Sequence, residues 1–253
     1  MITMEDKLQN IFCFLSNNRQ YNQALQYQIY KNILSPYDST KEKVISLLYH
    51  CGNAQSQPKI DRLAGFYKEI IPKDNDCFTS CLNFISSLNQ NNQVTNVLFD
   101  DLYSGLKNQP GFGKKTSALF TKIIYQIHND KFFKDFKIWD DVPNTIGENV
   151  KFYLPVDTVI ISIFEKIDIK KSWNFDEINC YLNNNGHSYP DLLVWDDLWY
   201  WGYITQQGTG NNRKFGWNEN KYWTFKESDK NPKLIQEIRQ KAMCFLSLVY
   251  DEI

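Results

Sequence analysis

Two side chains in this sequence have the type and setting to do covalent chemistry: the amine of Lys115 and the carboxylate of Asp157. Lys115 sits in Pro110-Gly111-Phe112-Gly113-Lys114-Lys115-Thr116, and Asp157, forty-two positions further on, sits in Leu154-Pro155-Val156-Asp157-Thr158. A neutral amine attacks an electrophilic carbon and leaves an imine, which can drive a later elimination. An ionised carboxylate steadies positive charge that develops beside it. Lys115 must lose its proton to attack, which desolvation or the neighbouring Lys114 and Lys122 would promote. Asp157 must keep its charge, which a helix N-terminus favours. Each residue also has a plain structural reading, Lys115 as a surface lysine of a first helical turn and Asp157 as a helix cap.

The elements needed to position these groups are helical. Apolar residues recur at three- and four-residue spacing, as in Leu8, Ile11, Phe12 and Leu15, or Ala24, Leu25, Ile29 and Ile33. Pro36, Pro58, Pro72 and Pro110 punctuate the first half. Two helices are expected between Phe78 and Leu106, joined by the polar link Asn89 to Gln93. Residues 97–128 then read as helix, tight turn and helix, the second running from Lys114 to about His128. The glycines allow a sharp bend and close approach of another backbone. The amides of such a turn and of the following helix start face outward as donors, which suits a phosphate oxygen. A Pro-Gly-x-Gly turn also serves as a simple connector.

Residues 130–152 show no clear period. Asp157 is expected to cap a helix through Phe164, and further helices are expected near Glu177 to Leu182 and from Asp191 to about Ile204. A Gly/Asn-rich loop (Gln207 to Asn220) follows, with a short hairpin as an option over Lys214 to Phe225. Asn231-Pro232 should open the closing helix. Period-two alternation is rare, so the fold class expected is all-α.

A formal charge of −1 gives no bulk attraction to nucleic acid, so any such surface must be local. From Tyr103 to Ile127 there are four lysines (Lys107, Lys114, Lys115, Lys122) and no acidic residue. A solvated helix face would look the same. The six cysteines, of which the closest pair is Cys77 and Cys81, lack metal-site spacing and read as reduced core thiols. His50, His128 and His187 form no ligand motif; His128 and His187 read as structural or exposed. Met1 to Leu15 lacks a signal-peptide core and no run reaches transmembrane length, so a soluble intracellular protein is expected, cytoplasmic in a prokaryote or nuclear in a eukaryote.

The hairpin lysine followed by Val156-Asp157 resembles the helix-hairpin-helix (HhH-GPD) DNA glycosylase superfamily, whose motif is Pro-Gly-x-Gly-x-Lys and then Val-Asp. The resemblance puts Lys115 at the nucleophilic lysine and Asp157 at the catalytic aspartate. The lysine–aspartate separation exceeds that of the endonuclease III and adenine glycosylase branches, and their C-terminal cysteine quartet is absent. The chain is more similar to the archaeal 8-oxoguanine glycosylase group, which lacks the iron-sulfur cluster and lengthens this connection, here as an insertion at 130–152. Lys122 matches that group's second lysine. Asp197 and Trp201 match its base-pocket pair, with Asp196 and Tyr200 as a second register. The likeness covers roughly residues 95 to 205 and extends weakly to Gln20-Tyr21.

It implies an all-α, two-lobed glycosylase fold spanning 1–253 without an iron-sulfur cluster. A cleft with Lys115 at its mouth and the Trp-rich helix behind is expected. The partner would be double-stranded DNA carrying a damaged base, most simply 8-oxoguanine, bound by a monomer that needs no cofactor. Gly111, Gly113, Lys114 and Lys107 would meet the DNA backbone. Asp197, Trp201, Asp196, Tyr200, Pro155, Lys122 and Gln20 would line the base pocket. A glycosylase for another lesion, or a non-catalytic helix-hairpin-helix DNA-binding protein, fits the same motifs. The tryptophans of the pocket helix also fit a simple core role.

Overall fold

The computed structural model describes residues 3–55, 57–89, 96–147, 150–169, 171–187, 189–208, 213–225 and 231–250. Most of the expected Asn89 to Gln93 link and part of the Gln207 to Asn220 loop lie outside these residues. The described chain is all-α apart from one two-residue strand pair. Its helices are α1 (Met4–Asn17), α2 (Arg19–Leu34), α3 (Thr40–Asn53), α4 (Ile60–Ile70), α5 (Cys81–Leu88), α6 (Phe99–Lys107), α7 (Lys114–Asn129), α8 (Thr158–Ile167), α9 (Phe175–Asn184), α10 (Asp191–Trp195), α11 (Asp197–Ile204), α12 (Glu219–Trp223) and α13 (Pro232–Val249). Two 3-10 segments, Asn75–Phe78 and Lys131–Phe136, join them. Among the described residues no helix is long and apolar enough to cross a membrane.

The chain divides into two compact units, one of Met1–Leu25 with Val156–Ile253 and one of Gln26–Pro155. In the second, α7 packs against α3 and α6, and the 3-10 segment Lys131–Phe136 folds back on it. Phe84, Phe120 and Trp139 share the core there. His128 ties the returning strand of chain to α7. Its Nδ1 pairs with the Ile124 carbonyl at 2.7 Å, and its Nε2 accepts the Ile138 and Trp139 amides at 3.2 and 3.0 Å. An acceptor at Nε2 requires the neutral ring with its proton on Nδ1. Burial depresses the pKa of His128, which keeps that form.

In the first unit, α1 packs on α10 and α13, and α8 packs on α11. The α8–α11 approach is close because Gly202 has no side chain: a Cβ there would lie 2.6 Å from Ile163 Cδ1 and 2.7 Å from Val159 Cγ1.

Three sequence expectations are corrected. The helix expected from Asp191 to Ile204 is two helices: the Trp199 amide bonds to the Asp196 carbonyl at 3.1 Å, three residues back, and this tighter turn interrupts the α-helical ladder. In place of a hairpin within Lys214 to Phe225, Lys214–Phe215 pairs antiparallel with Gln206–Gln207, and α12 follows. The six cysteines are free, but only Cys51 and Cys81 are core thiols; Cys77 is half-buried, and Cys13, Cys180 and Cys244 lie exposed on helix surfaces.

Candidate active site

The hairpin of the second unit begins where α6 ends at Lys107. The Gln109 amide bonds to the Leu106 carbonyl at 2.8 Å, and the Gln109 side chain reaches the Leu88 and Gly105 carbonyls at 3.2 and 3.0 Å. Gly111 then adopts φ +84°, a left-handed conformation suited to glycine, and a Cβ would fall 2.7 Å from Leu63 Cδ2. Phe112 is buried against Phe66, so the turn is pinned to α4. Gly113 is different. Its backbone is extended, a Cβ there would meet nothing, and its amide bonds to Thr116 Oγ1 at 2.8 Å. The outward donor expected at Gly113 is thus engaged within the protein. Lys107 and Lys114 are exposed beside the turn, the Lys107 amine 5.5 Å from the Tyr103 ring centre.

Lys115 lies on the first turn of α7, half-buried, and its Nζ donates to the Ala54 carbonyl at the end of α3. Two turns along α7, Lys122 is 3 % exposed, a buried lysine. Both lysines bear on the enclosed Cys51 thiol, which burial pushes far up while the two cations pull the other way. His50 is held below its ordinary value, first by burial and then by Lys122. The α3–α7 seam therefore sets Lys115 and the buried Lys122 beside the enclosed Cys51 thiol.

Asp157, in the first unit, is the N-cap of α8 as its sequence suggests. Oδ1 accepts the Val159 and Ile160 amides at 2.8 and 3.1 Å. Pro155 and Val156, just before it, are buried. The first turn of α8 is also held from outside. Gln206, fully buried, donates from Nε2 to the Val159 carbonyl at 3.1 Å. Arg213 spans from Gln206 Oε1 at 2.7 Å to Thr158 Oγ1 at 2.8 Å. Thr158 and Arg213 form part of the wall of an open groove of about 380 Å³.

Of the expected base-pocket residues, Asp197, Trp201, Asp196 and Tyr200 fall in the interior of the same unit, whereas Pro155 and Lys122 belong to the second unit. Asp197 is 1 % exposed, accepting from Asn22 Nδ2 at 2.7 Å and lying 3.4 Å from Arg19 Nε. Trp201 has no exposed surface, with Phe14, Tyr21, Tyr200 and Phe245 around it at ring separations of 5.1 to 6.5 Å. Its indole N–H is buried without an acceptor. The second register is no more open: Asp196 and Tyr200 are both buried. Gln20 is exposed on the first turn of α2. Beside it, Tyr21 donates to Glu237, and its pKa is pushed up to about 12, first by burial and then by that carboxylate.

Sequence reasoning missed Gln206, Arg213, Arg19 and Asn22. No motif or period marks any of them; each acquires its partner only through the tertiary fold. Set against known proteins, the chain matches no protein-family model, no curated protein and no solved structure.

Proposed function

We propose that this chain is a base-excision DNA glycosylase of the helix-hairpin-helix type with strand-cleaving lyase activity, acting on duplex DNA that carries 8-oxoguanine. The observation that carries the reading is the Gly111 hairpin, which delivers the half-buried Lys115 to the first turn of α7, on the same helix as the buried Lys122. A helix N-terminus suits a backbone phosphate without reading sequence. The neutral Lys115 amine adds to C1′ of the damaged nucleotide, and the glycosidic bond breaks with its electron pair leaving on the base, which takes up a proton. The amine nitrogen gives up a proton. The C1′–O4′ bond then opens as the nitrogen lone pair forms a protonated imine and the ring oxygen takes up a proton. This imine acidifies the adjacent C2′ position, so that loss of a proton there expels the 3′ phosphate. Asp157 supplies negative charge as C1′ becomes cationic, an electrostatic role that suits a capping carboxylate.

Base recognition falls to the surroundings of α11. Tyr200 and Phe245 are buried, so a flipped purine would reach the Trp201 indole by displacing Tyr21 or Phe14. The Asp197 carboxylate, already ordered by Asn22 and Arg19, is the acceptor that helix offers for a base N–H.

Borohydride trapping on an 8-oxoguanine duplex tests the reading. Covalent capture of the wild-type chain is the expected result. Tight binding without capture would make it a DNA-binding module instead, and capture on a different lesion alone would replace the substrate while keeping the chemistry.

A further inference from the structure

Helix ends fray, and a side-chain atom bonded to a helix end moves with it. Asp157 Oδ1 is such an atom: it accepts the Val159 and Ile160 amides, so its position is tied to the first turn of α8. That turn is held by a segment distant in sequence. After α11 the chain reverses, the Gly216 amide bonding to the Thr205 carbonyl and the Asn218 amide to the Ile204 carbonyl, both at 2.8 Å. This reversal brings Arg213 back to Gln206 and Thr158.

Resting on the glycosylase reading, we infer that Arg213, acting with Gln206 and Thr158, is a positioning residue that fixes the Asp157 carboxylate for base release. Val159 is clamped at both ends, its amide by Asp157 and its carbonyl by Gln206. Gln206 is held in turn, because its other side-chain atom accepts from Arg213 at 2.7 Å. The same guanidinium donates to the Thr158 hydroxyl at 2.8 Å, so one planar fork secures two consecutive residues of the turn, Thr158 directly and Val159 through Gln206. Lysine offers a single flexible ammonium and lacks that two-armed geometry. Gly202 completes the clamp by letting α11 lie directly on Val159 and Ile163. A purely structural tie would be worth the same anywhere along α8. This one converges on the two residues that follow Asp157.

The test compares the full chain with Arg213→Met, which keeps the apolar stem, and with Thr158→Val and Thr158→Ser, which remove and retain the hydroxyl. Two quantities are read: amide hydrogen exchange at Val159 and Ile160, and single-turnover base release against protein concentration. Arg213→Met and Thr158→Val should each lower protection at those amides and slow release at saturation by roughly five- to tenfold, the scale of one or two lost hydrogen bonds. The protein concentration for half-saturation should stay unchanged, and Thr158→Ser should recover most of both losses. Unchanged protection and release in the first two variants would overturn the inference, as would protection lost evenly through α8, α11 and α13, which marks general loosening. If the wild-type chain releases no base, the glycosylase reading falls and takes the catalytic meaning of the clamp with it. The exchange data then still decide separately whether Arg213 holds Asp157.

Discussion

Lys115 donates its side-chain amine to the backbone carbonyl of Ala54, so the nucleophile of the proposed reaction is held against the end of α3. To attack, the amine must leave that carbonyl and lose its proton. Lys115→Gln removes the nucleophile and keeps a side chain able to donate to Ala54. Base release and borohydride capture should disappear in this variant while affinity for lesion duplex persists, since the hairpin is untouched. Gel-shift and trapping assays on the same preparation check this; normal turnover would remove Lys115 from the mechanism.

Asp157 has two roles that substitution can separate. Asparagine still caps a helix, so Asp157→Asn should melt close to the wild type, whereas alanine should lose about 1 kcal/mol of stability. Both should slow base release by roughly 10²-fold, the scale of removing one electrostatic stabiliser of a transition state. Chemical denaturation beside single-turnover excision reads both effects. A fully active Asp157→Asn protein would reduce the residue to a cap.

The parts legible in sequence are those whose signals are local. The Asp157 cap and the Asn231-Pro232 start of α13 both stand where their residue types put them, Asn231 Oδ1 accepting the Lys233 amide at 3.0 Å. Gly111 was legible as a turn residue, but nothing local distinguished it from Gly113, whose extended backbone needs no glycine. The surroundings of Asp197 could not be read, because its partner Asn22 lies 175 positions away and no sequence period links them. The segment after Asp130 shows no pattern for a different reason, because single short-range contacts rather than a repeating apolar face fix it. Its 3-10 turn is fixed by the Asp130 side chain accepting the Phe132 amide at 2.9 Å, and the chain beyond by the ring of His128.

Binding to undamaged duplex should be salt-sensitive despite the formal charge of −1, because Lys107 and Lys114 stand exposed on the hairpin. Each phosphate contact adds roughly −0.9 to the slope of log affinity against log salt. Replacing both lysines by alanine should therefore make the slope shallower by about 2. Fluorescence anisotropy across a salt series measures it. A flat wild-type response would argue against a DNA surface on the hairpin.

His128 makes the fold acid-sensitive in a defined direction. Burial, helped by Lys137, holds its folded-state pKa below the ordinary 6.5. Its neutral form costs nothing above that value. As pH falls below 6.5 the unfolded chain takes up a proton that the folded chain refuses, and stability declines until the folded ring is protonated too. His50, lowered chiefly by burial, acts in the same sense. Urea unfolding should show lower stability at pH 5 than at pH 7.5, and the loss should shrink in His128→Gln. An unchanged loss in that variant would assign the acid sensitivity to other groups.

The last prediction concerns which base is removed, and it depends on Trp201. The 8-oxo lesion converts N7 of guanine from an acceptor into an N–H donor, so a pocket that presents an acceptor there separates lesion from normal base. A carbonyl near Pro155 or Val156 is the acceptor we assign to N7–H, with Asp197 taking the Watson-Crick edge and the Trp201 indole the ring face. Unstacking a nucleotide costs a few kcal/mol, which such contacts must offset. Trp201 is wholly enclosed, so truncation to alanine would also remove about 3–5 kcal/mol of core packing. Trp201→Phe is the cleaner substitution, since it keeps an apolar ring among Phe14, Tyr21 and Phe245. In this variant excision of 8-oxoguanine should fall well below wild type, while cleavage at a preformed abasic site, which needs only Lys115 and the sugar, should change little. Equal losses on both substrates would mark a folding defect. Excision of uracil or 3-methyladenine by the wild-type chain, with none of 8-oxoguanine, would discard the lesion assignment and leave the lysine chemistry standing.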